Sequence, residues 1–227
     1  MRRAILEGVK RLLRHNGLSI VLLVIFLACW VGQAVAGRAD FNSDLTEHGR
    51  SPVRFAPYLL TSHFWQATAE NWESEFLQMG MFVVLTKHLF QKGSSESKDP
   101  DGTNSVDEDP NDHRDAPNAP WPVRHGGWVL AVYQRSLSIT FFALFAISVG
   151  LHLWAGNLSY QVEQTLGGQP TPTLGDYFLG GRFWFESMQN WQSEFLSILA
   201  MVVLSVYLRE RCSPESKPVA MAHGENA

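Results

Sequence analysis

The sequence predicts an all-α integral membrane protein with four transmembrane helices, formed by two parallel two-helix repeats. Three observations predict this class: two long apolar runs, a repeat of the whole pattern at a constant offset, and basic residues concentrated on one side of the runs. The overall composition conceals the pattern. A hydrophobic content of 45% and a net charge of −4 average the apolar runs with a very polar central stretch.

Two apolar runs have the length of a membrane span. Residues 18–36 carry no charged side chain, and nineteen positions come close to the ~20 apolar residues that a helix needs to cross a ~30 Å hydrocarbon core. Residues 137–155 have the same length and character, with His152 as their only ionisable group. Each run therefore predicts a transmembrane helix.

Two further apolar runs, 76–90 and 195–208, are shorter, but each continues a polar and aromatic stretch. We expect helices from about 62 to 91 and from about 181 to 210. At 1.5 Å per residue, each would be roughly 45 Å long, enough to cross the bilayer and protrude from it. These helices complete the predicted set of four.

The first span also has features of a cleaved signal peptide, since basic residues precede it and Ala34-Val35-Ala36 ends it. The similar run in mid-chain favours a retained helix instead. Lys and Arg resist translocation, and fourteen of the 18 flank the spans at the two termini and in the central linker. Both termini are therefore predicted to be cytoplasmic, in a bacterial inner membrane, with residues 37–61 and 156–180 outside.

The chain repeats itself at an offset of 119 residues, without a gap. Asn71-Trp72 aligns with Asn190-Trp191, Ser74-Glu75-Phe76-Leu77 with Ser193-Glu194-Phe195-Leu196, and Tyr58 with Tyr177. Two spans per repeat give both halves the same polarity, so the repeats are parallel.

The repeat divides the chain into four predicted parts. Residues 1–92 form the first repeat, which begins with an amphipathic basic segment expected to lie on the cytoplasmic leaflet. Residues 93–122 are acidic and nearly free of apolar side chains, which predicts a disordered cytoplasmic linker. Residues 123–212 form the second repeat, and residues 213–227 a flexible tail.

A polar cluster is predicted near the outer end of the helices, where charged groups are costly and therefore informative. Each half places one glutamate there, Glu75 or Glu194. Counted inward from the predicted outer ends of the helices, Gln33 reaches a depth similar to that of Glu75, and His152 a depth similar to that of Glu194. We therefore expect Gln33 to contact Glu75 and His152 to contact Glu194. The full predicted cluster is Glu75, Glu194, Gln33, His152, Asn71, Asn190, Gln78 and Ser197.

Two interpretations of this cluster stay open. It either holds the helices together, or it forms a proton, cation or small-ligand site open to the outside. Four tryptophans nearby fit the aromatic belt of a membrane interface. These predicted interfacial anchors are Trp65, Trp72, Trp184 and Trp191.

Motifs for catalysis are not found: the chain has no phosphate-binding glycine loop, HExxH, paired CxxC or GxSxG. The other histidines lack ligand spacing, so neither a metal site nor a cofactor is predicted. Nucleic acid is not an expected partner, because no basic patch interleaved with aromatic residues lies outside the membrane flanks.

The motifs NGLS…WVGQ, NWESEF with NWQSEF, and GSSESK with CSPESK resemble those of a bacterial family of uncharacterised membrane proteins. The resemblance spans both repeats and implies a helical inner-membrane protein without a known activity. One departure is visible, since Cys212 occupies the position that corresponds to Gly93.

Three functions are weighed. A non-catalytic scaffold or partner-binding membrane component comes first, with the lipid bilayer and either the protein itself or another membrane protein as partners. A small proton, cation or solute transporter or channel that uses the outer glutamates is the alternative. An enzyme comes last, because the sequence lacks a nucleophile or metal set.

Overall fold

The computed structural model describes the backbone of residues 2–226 and the side chains of residue 7 and residues 10–226. Within this range the chain is helical and contains no strand. Its α-helices are α1 (Arg2–Glu47), α2 (Phe55–Tyr58), α3 (Ser62–His88), α4 (Trp121–His125), α5 (Gly127–Tyr133), α6 (Ser136–Leu166), α7 (Leu174–Leu179) and α8 (Gly181–Tyr207).

Helix α1 contains a break at Asn16, where the backbone leaves the helical region (φ −130°, ψ 16°). The break lies between the segment predicted to lie on the leaflet and the first predicted span. Beyond the break, α1 continues to Glu47, and α6 likewise continues to Leu166. The first part of each segment predicted to lie outside, residues 37–61 and 156–180, is therefore helical. The first chain-reversing glycines come only at Gly49 (φ +70°) and Gly168 (φ +67°).

Two helices in the described range are long and apolar enough to span a membrane: Lys10–Glu47 within α1, and α6. Only 6% of the most apolar window of the first, and 11% of that of the second, is buried inside the protein. Core helices of soluble proteins bury such surface. Here most of it faces away from the protein, as it does in a helix solvated by lipid.

Helix α3 lies at the centre of the packing and contacts α6 more extensively than any other helix. Gly80 allows this approach, because a Cβ there would lie 3.3 Å from the Phe142 ring. On another side, α3 meets α8 through the Gln78 amide, which donates to Ser197 Oγ (2.9 Å) and to the Glu194 carbonyl (3.0 Å).

A buried tyrosine packs against the long apolar helix of each half of the chain. Tyr58 and Tyr177 are each 1% exposed, and their hydroxyls approach Gly37 of α1 and Gly156 of α6, where a Cβ would overlap them. Their rings lie 5.8 Å from those of Phe64 and Phe183, respectively. Glycine at these two positions is what allows the tyrosines to reach the helix backbone.

The segments after α3 and α8 adopt similar turns. Gly93 (φ +83°) and Cys212 (φ +70°) share a left-handed conformation, which glycine adopts readily and which is uncommon for a cysteine. Residues 93–122 contain two short 3-10 turns, Ser105–Asp107 and Pro110–His113. The disorder predicted for this linker and the flexibility predicted for the tail stay predictions.

Candidate functional site

His152 occupies the middle of α6 and is fully buried. Its Nδ1 donates to Glu73 Oε2 of α3 at 2.7 Å. On the opposite side of the ring, Nε2 lies 3.4 Å from Glu186 Oε2 and 3.8 Å from Glu70 Oε2. Helices α3, α6 and α8 thus place three carboxylates around one imidazole, and we call these four side chains the His152 cluster.

Helical spacing explains how α3 supplies two of the carboxylates. Gln66, Glu70 and Glu73 stand at i, i+4 and i+7, so they share one face of the helix. That face meets α6, where His152 projects, and the N-terminal part of α8, where Glu186 lies. Close packing between α3 and α6 therefore creates the cluster.

Glu186 is held by three further donors. Its Oε2 accepts from the Tyr177 hydroxyl, and its Oε1 accepts from Arg182 Nε and from Gln66 Nε2 (3.0 Å). Burial and the adjacent Glu186 carboxylate raise the pKa of Tyr177, which keeps its hydroxyl a neutral donor. The Glu186 carboxylate is therefore fixed in one orientation.

Glu73 and Glu70 differ in how they are held. The Glu73 carboxylate is 1% exposed and accepts from both His152 and the Trp191 indole, whose Nε1 lies 2.9 Å from Oε1. Glu70 is 17% exposed at its side chain, and no hydrogen bond to it is found in the described part of the chain. Its side chain can therefore change conformation more easily than those of Glu73 and Glu186.

A cavity of about 850 Å³ opens onto the cluster, and Glu70 and Glu186 line it. Five acidic side chains line this cavity, against one arginine and two histidines. An acid-rich concave surface raises the local concentration of cations. The acidic residues are Asp40, Asp44, Glu70, Glu163 and Glu186.

The cluster takes Glu70 and Glu73 from the first half of the chain and His152 and Glu186 from the second, and the repeat does not reproduce it. At the offset of 119 residues, which also separates Gln78 from Ser197, His152 corresponds to Gln33 and Glu186 to Ala67. There the Gln33 amide and the Trp30 indole both donate to Thr68 Oγ1, at 3.1 and 3.4 Å. The two halves match in sequence, but the positions that correspond to the four residues of the cluster carry uncharged side chains.

A model of a domain of unknown function, DUF6766, matches residues 9–227, nearly the whole chain. The chain belongs to the DUF6766 family. This agrees with the uncharacterised family inferred from the motifs. No curated protein and no solved structure matches the chain.

The structure brings Gln78, Glu194 and Ser197 of this DUF6766 chain together, but it does not pair Gln33 or His152 with the predicted glutamates. Both predicted contacts were wrong, because Gln33 donates to Thr68 and not to Glu75, and His152 contacts Glu73 and Glu186 and not Glu194. Thr68 and Glu186 lie about two turns closer to the N-terminal ends of α3 and α8 than the predicted partners Glu75 and Glu194. Glu75 is exposed, and Glu194 is half-buried.

The other predicted residues have mostly local roles. Asn71 and Asn190 donate to backbone carbonyls one turn earlier, at Ala67 and Glu186. Gln78 and Ser197 do join α3 to α8. Among the predicted anchors, Trp65, Trp72 and Trp184 pack on other aromatic rings, and Trp191 contacts the His152 cluster.

Sequence reasoning missed Glu70, Glu73 and Glu186 because it favoured the glutamates that repeat in both halves. The residues of the cluster are those that differ between the halves, where Gln189, Gln192 and Ala67 replace the three acids. A comparison of the halves for unmatched charges would have found the site.

Proposed function

We propose that this protein is a multi-pass inner-membrane protein that binds a cation at the His152 cluster through the acid-rich cavity. The observation that carries the proposal is the excess of acid in the cluster. Three buried or nearly buried carboxylates face a single guanidinium, that of Arg182. Unpaired charge is costly away from water, so a positive partner is needed.

The membrane architecture is part of the proposal. The apolar surfaces of α1 and α6 that face away from the rest of the protein favour two membrane spans. The lengths of α3 and α8, 27 residues each, favour two more. The 119-residue offset favours parallel repeats with both termini in the cytoplasm. In that orientation the cavity opens to the outside.

A reporter fusion tests the orientation. A fluorescent protein that matures only in the cytoplasm, fused after the last residue, should be bright, and a fusion in the loop between α6 and α7 should be dark. The reverse pattern would refute the orientation and the outward-facing cavity together.

Thermal unfolding in detergent tests cation binding. A ligand that binds only the folded state stabilises it by about 2.7 kcal/mol at a concentration one hundred times its dissociation constant. We therefore expect the purified full chain to melt at a higher temperature when titrated with its cation or with acid. The variant E70Q should lose this response, and E75Q, on an exposed part of the same helix, should keep it.

Equal responses of wild type and E70Q to protons and to all cations would refute the proposal. In that case the cluster would only hold the helices together. Glu70 suits the test because it makes no hydrogen bond in the described range, so its replacement leaves the packing of α3 and α6 in place.

A non-catalytic scaffold or partner-binding role is the second candidate. The apolar side chains of α1 between residues 18 and 27 are exposed around the whole helix, which leaves room for a second membrane helix. Purification with native lipids followed by mass spectrometry tests this role. A stoichiometric companion protein that is lost on substitution of the exposed α1 residues would support it.

A further inference from the structure

We propose that the cation of the His152 cluster is a divalent transition metal, held by Glu70, Glu186 and His152 Nε2. This inference rests on the proposed cation-binding function and specifies its ligand. One atom from each of the three side chains lies within 4.8 Å of the others. One imidazole nitrogen and two carboxylate oxygens form a donor set that suits Zn²⁺, Mn²⁺ or Fe²⁺.

The distances on the Nε2 side favour a shared ion over direct hydrogen bonds. Nε2 lies 3.4 Å from Glu186 and 3.8 Å from Glu70, beyond the usual 2.7–3.2 Å of an N–H···O bond. Two ligands of a tetrahedral metal, each about 2.1 Å from the ion, lie roughly 3.4 Å apart. The Glu186 pair already has that separation, and Glu70 needs only a small approach.

Glu73 has a separate role as a positioning residue. A carboxylate accepts hydrogen bonds, so the 2.7 Å contact with Glu73 places the proton of the imidazole on Nδ1. Nε2 is then free to offer its lone pair to a metal. A carboxylate behind a metal-bound histidine is the usual way in which proteins fix the tautomer and orient the ring.

Hydrogen bonds around Glu186 orient this second proposed ligand, as Glu73 orients His152. Glu186 Oε2, the atom nearest Nε2, accepts from the Tyr177 hydroxyl, and Gln66 and Arg182 hold the other oxygen. Hydrogen-bonded carboxylate ligands of this kind are typical of metal sites. Glu70, for which the described part of the chain supplies no such donor, faces the cavity through which an ion would enter.

A divalent ion also fits the charge of the metal-bound cluster. A metal-bound Nε2 requires a neutral imidazole, and bound carboxylates are ionised. Three carboxylates and the Arg182 guanidinium then carry a net charge of −2, which a divalent ion neutralises. A single proton would leave the group negative in a setting where charge is costly.

Isothermal titration of the purified full chain, stripped with a chelator and held in detergent, tests the inference with Zn²⁺. We expect one ion per chain. Co²⁺ used as a second probe should give visible d–d absorption of a low-symmetry nitrogen–oxygen site. E70Q and H152Q should abolish saturable binding at micromolar metal, and E75Q should bind as wild type does.

E73Q distinguishes the positioning role from a role as ligand. Loss of a residue that orients a ligand in this way costs 10–100-fold in metal affinity, so E73Q should keep one site per chain with an affinity lowered by that factor. It should also change the Co²⁺ spectrum little. If E73Q lost the site altogether, Glu73 would be a ligand and the assignment would be wrong.

The inference and the proposed function fail in different ways. A wild-type chain that binds neither Zn²⁺ nor Co²⁺, but whose acid-linked stabilisation is lost in E70Q, would overturn the metal and retain a proton site. If the wild type, E70Q and H152Q each bound one Zn²⁺ equally well, the metal would lie elsewhere. That result would also overturn the inference.

Discussion

Replacement of Gly156 by alanine should destabilise the protein through Tyr177. A Cβ at residue 156 would lie 2.2 Å from the Tyr177 hydroxyl oxygen and 2.8 Å from the ring carbon that carries it. Both distances are shorter than any real contact, so the tyrosine must withdraw from Glu186. Because Tyr177 is 1% exposed and packed against Phe183, it has little room to do so.

The magnitude follows from three contributions. Loss of a hydrogen bond to a charged group costs about 1.5–3 kcal/mol. Overpacking in a filled interior adds about 1–3 kcal/mol. The higher helix propensity of alanine returns about 1 kcal/mol. The net loss in the free energy of unfolding should therefore be about 1.5–5 kcal/mol, a large share of the stability of a typical domain.

The measurement is equilibrium unfolding of the full chain in mixed micelles, followed by circular dichroism. Gly150 gives the matched control, since it lies in the same helix and a Cβ there would meet nothing within 4 Å. G150A should be neutral or slightly stabilising. In a Y177F background the cost of G156A should fall, because the hydroxyl nearest the new Cβ is gone. If G156A proved as harmless as G150A, the close approach of Tyr177 to α6 would be wrong.

Two further predictions concern the loops. Hydrogen bonds from Thr173 lower the pKa of Asp176, so its contribution to stability is complete above its ordinary pKa of 3.8 and is lost as pH falls through the lower folded value. The melting temperature of D176N should therefore vary less than that of wild type in acid, whereas D115N, at an exposed site, should vary as wild type does. Lys217 is 1% exposed and donates to the carbonyls of Ala222, His223 and Glu225. K217M should release the C-terminal segment to limited proteolysis, and the matching substitution K98M, at a residue paired with an exposed aspartate, should not. Equal cleavage of both variants would contradict this role of Lys217.

The helical class and the two membrane-length helices were predictable from the sequence. An uncharged run of nineteen residues at 18–36 has few alternatives to a helix in lipid, because every backbone group must be bonded within the segment. Helix ends were predictable only in part. Residues after 36 and after 155 are polar enough to suggest loops, but nothing in them breaks a helix before Gly49 and Gly168.

The site was predictable only in its histidine. His152 was singled out as the one ionisable group of its run, but its partners were assigned by counting depth along single helices. Depth counting assumes that paired helices enter at the same height. The actual partners depend on the shift between α3, α6 and α8, which side-chain packing decides.

By itself, the sequence determined which stretches are long and apolar enough to span a membrane and which positions repeat at a fixed offset, since hydrophobicity and identity are properties of single residues. Only the tertiary structure decided that Glu70, Glu73 and Glu186 surround His152. Glu186 is 34 residues from His152 and Glu73 is 79 residues away. Contacts at that separation depend on how the helices are rotated and shifted against one another, and small residues such as Gly80 and Gly156 set that geometry by permitting close approach.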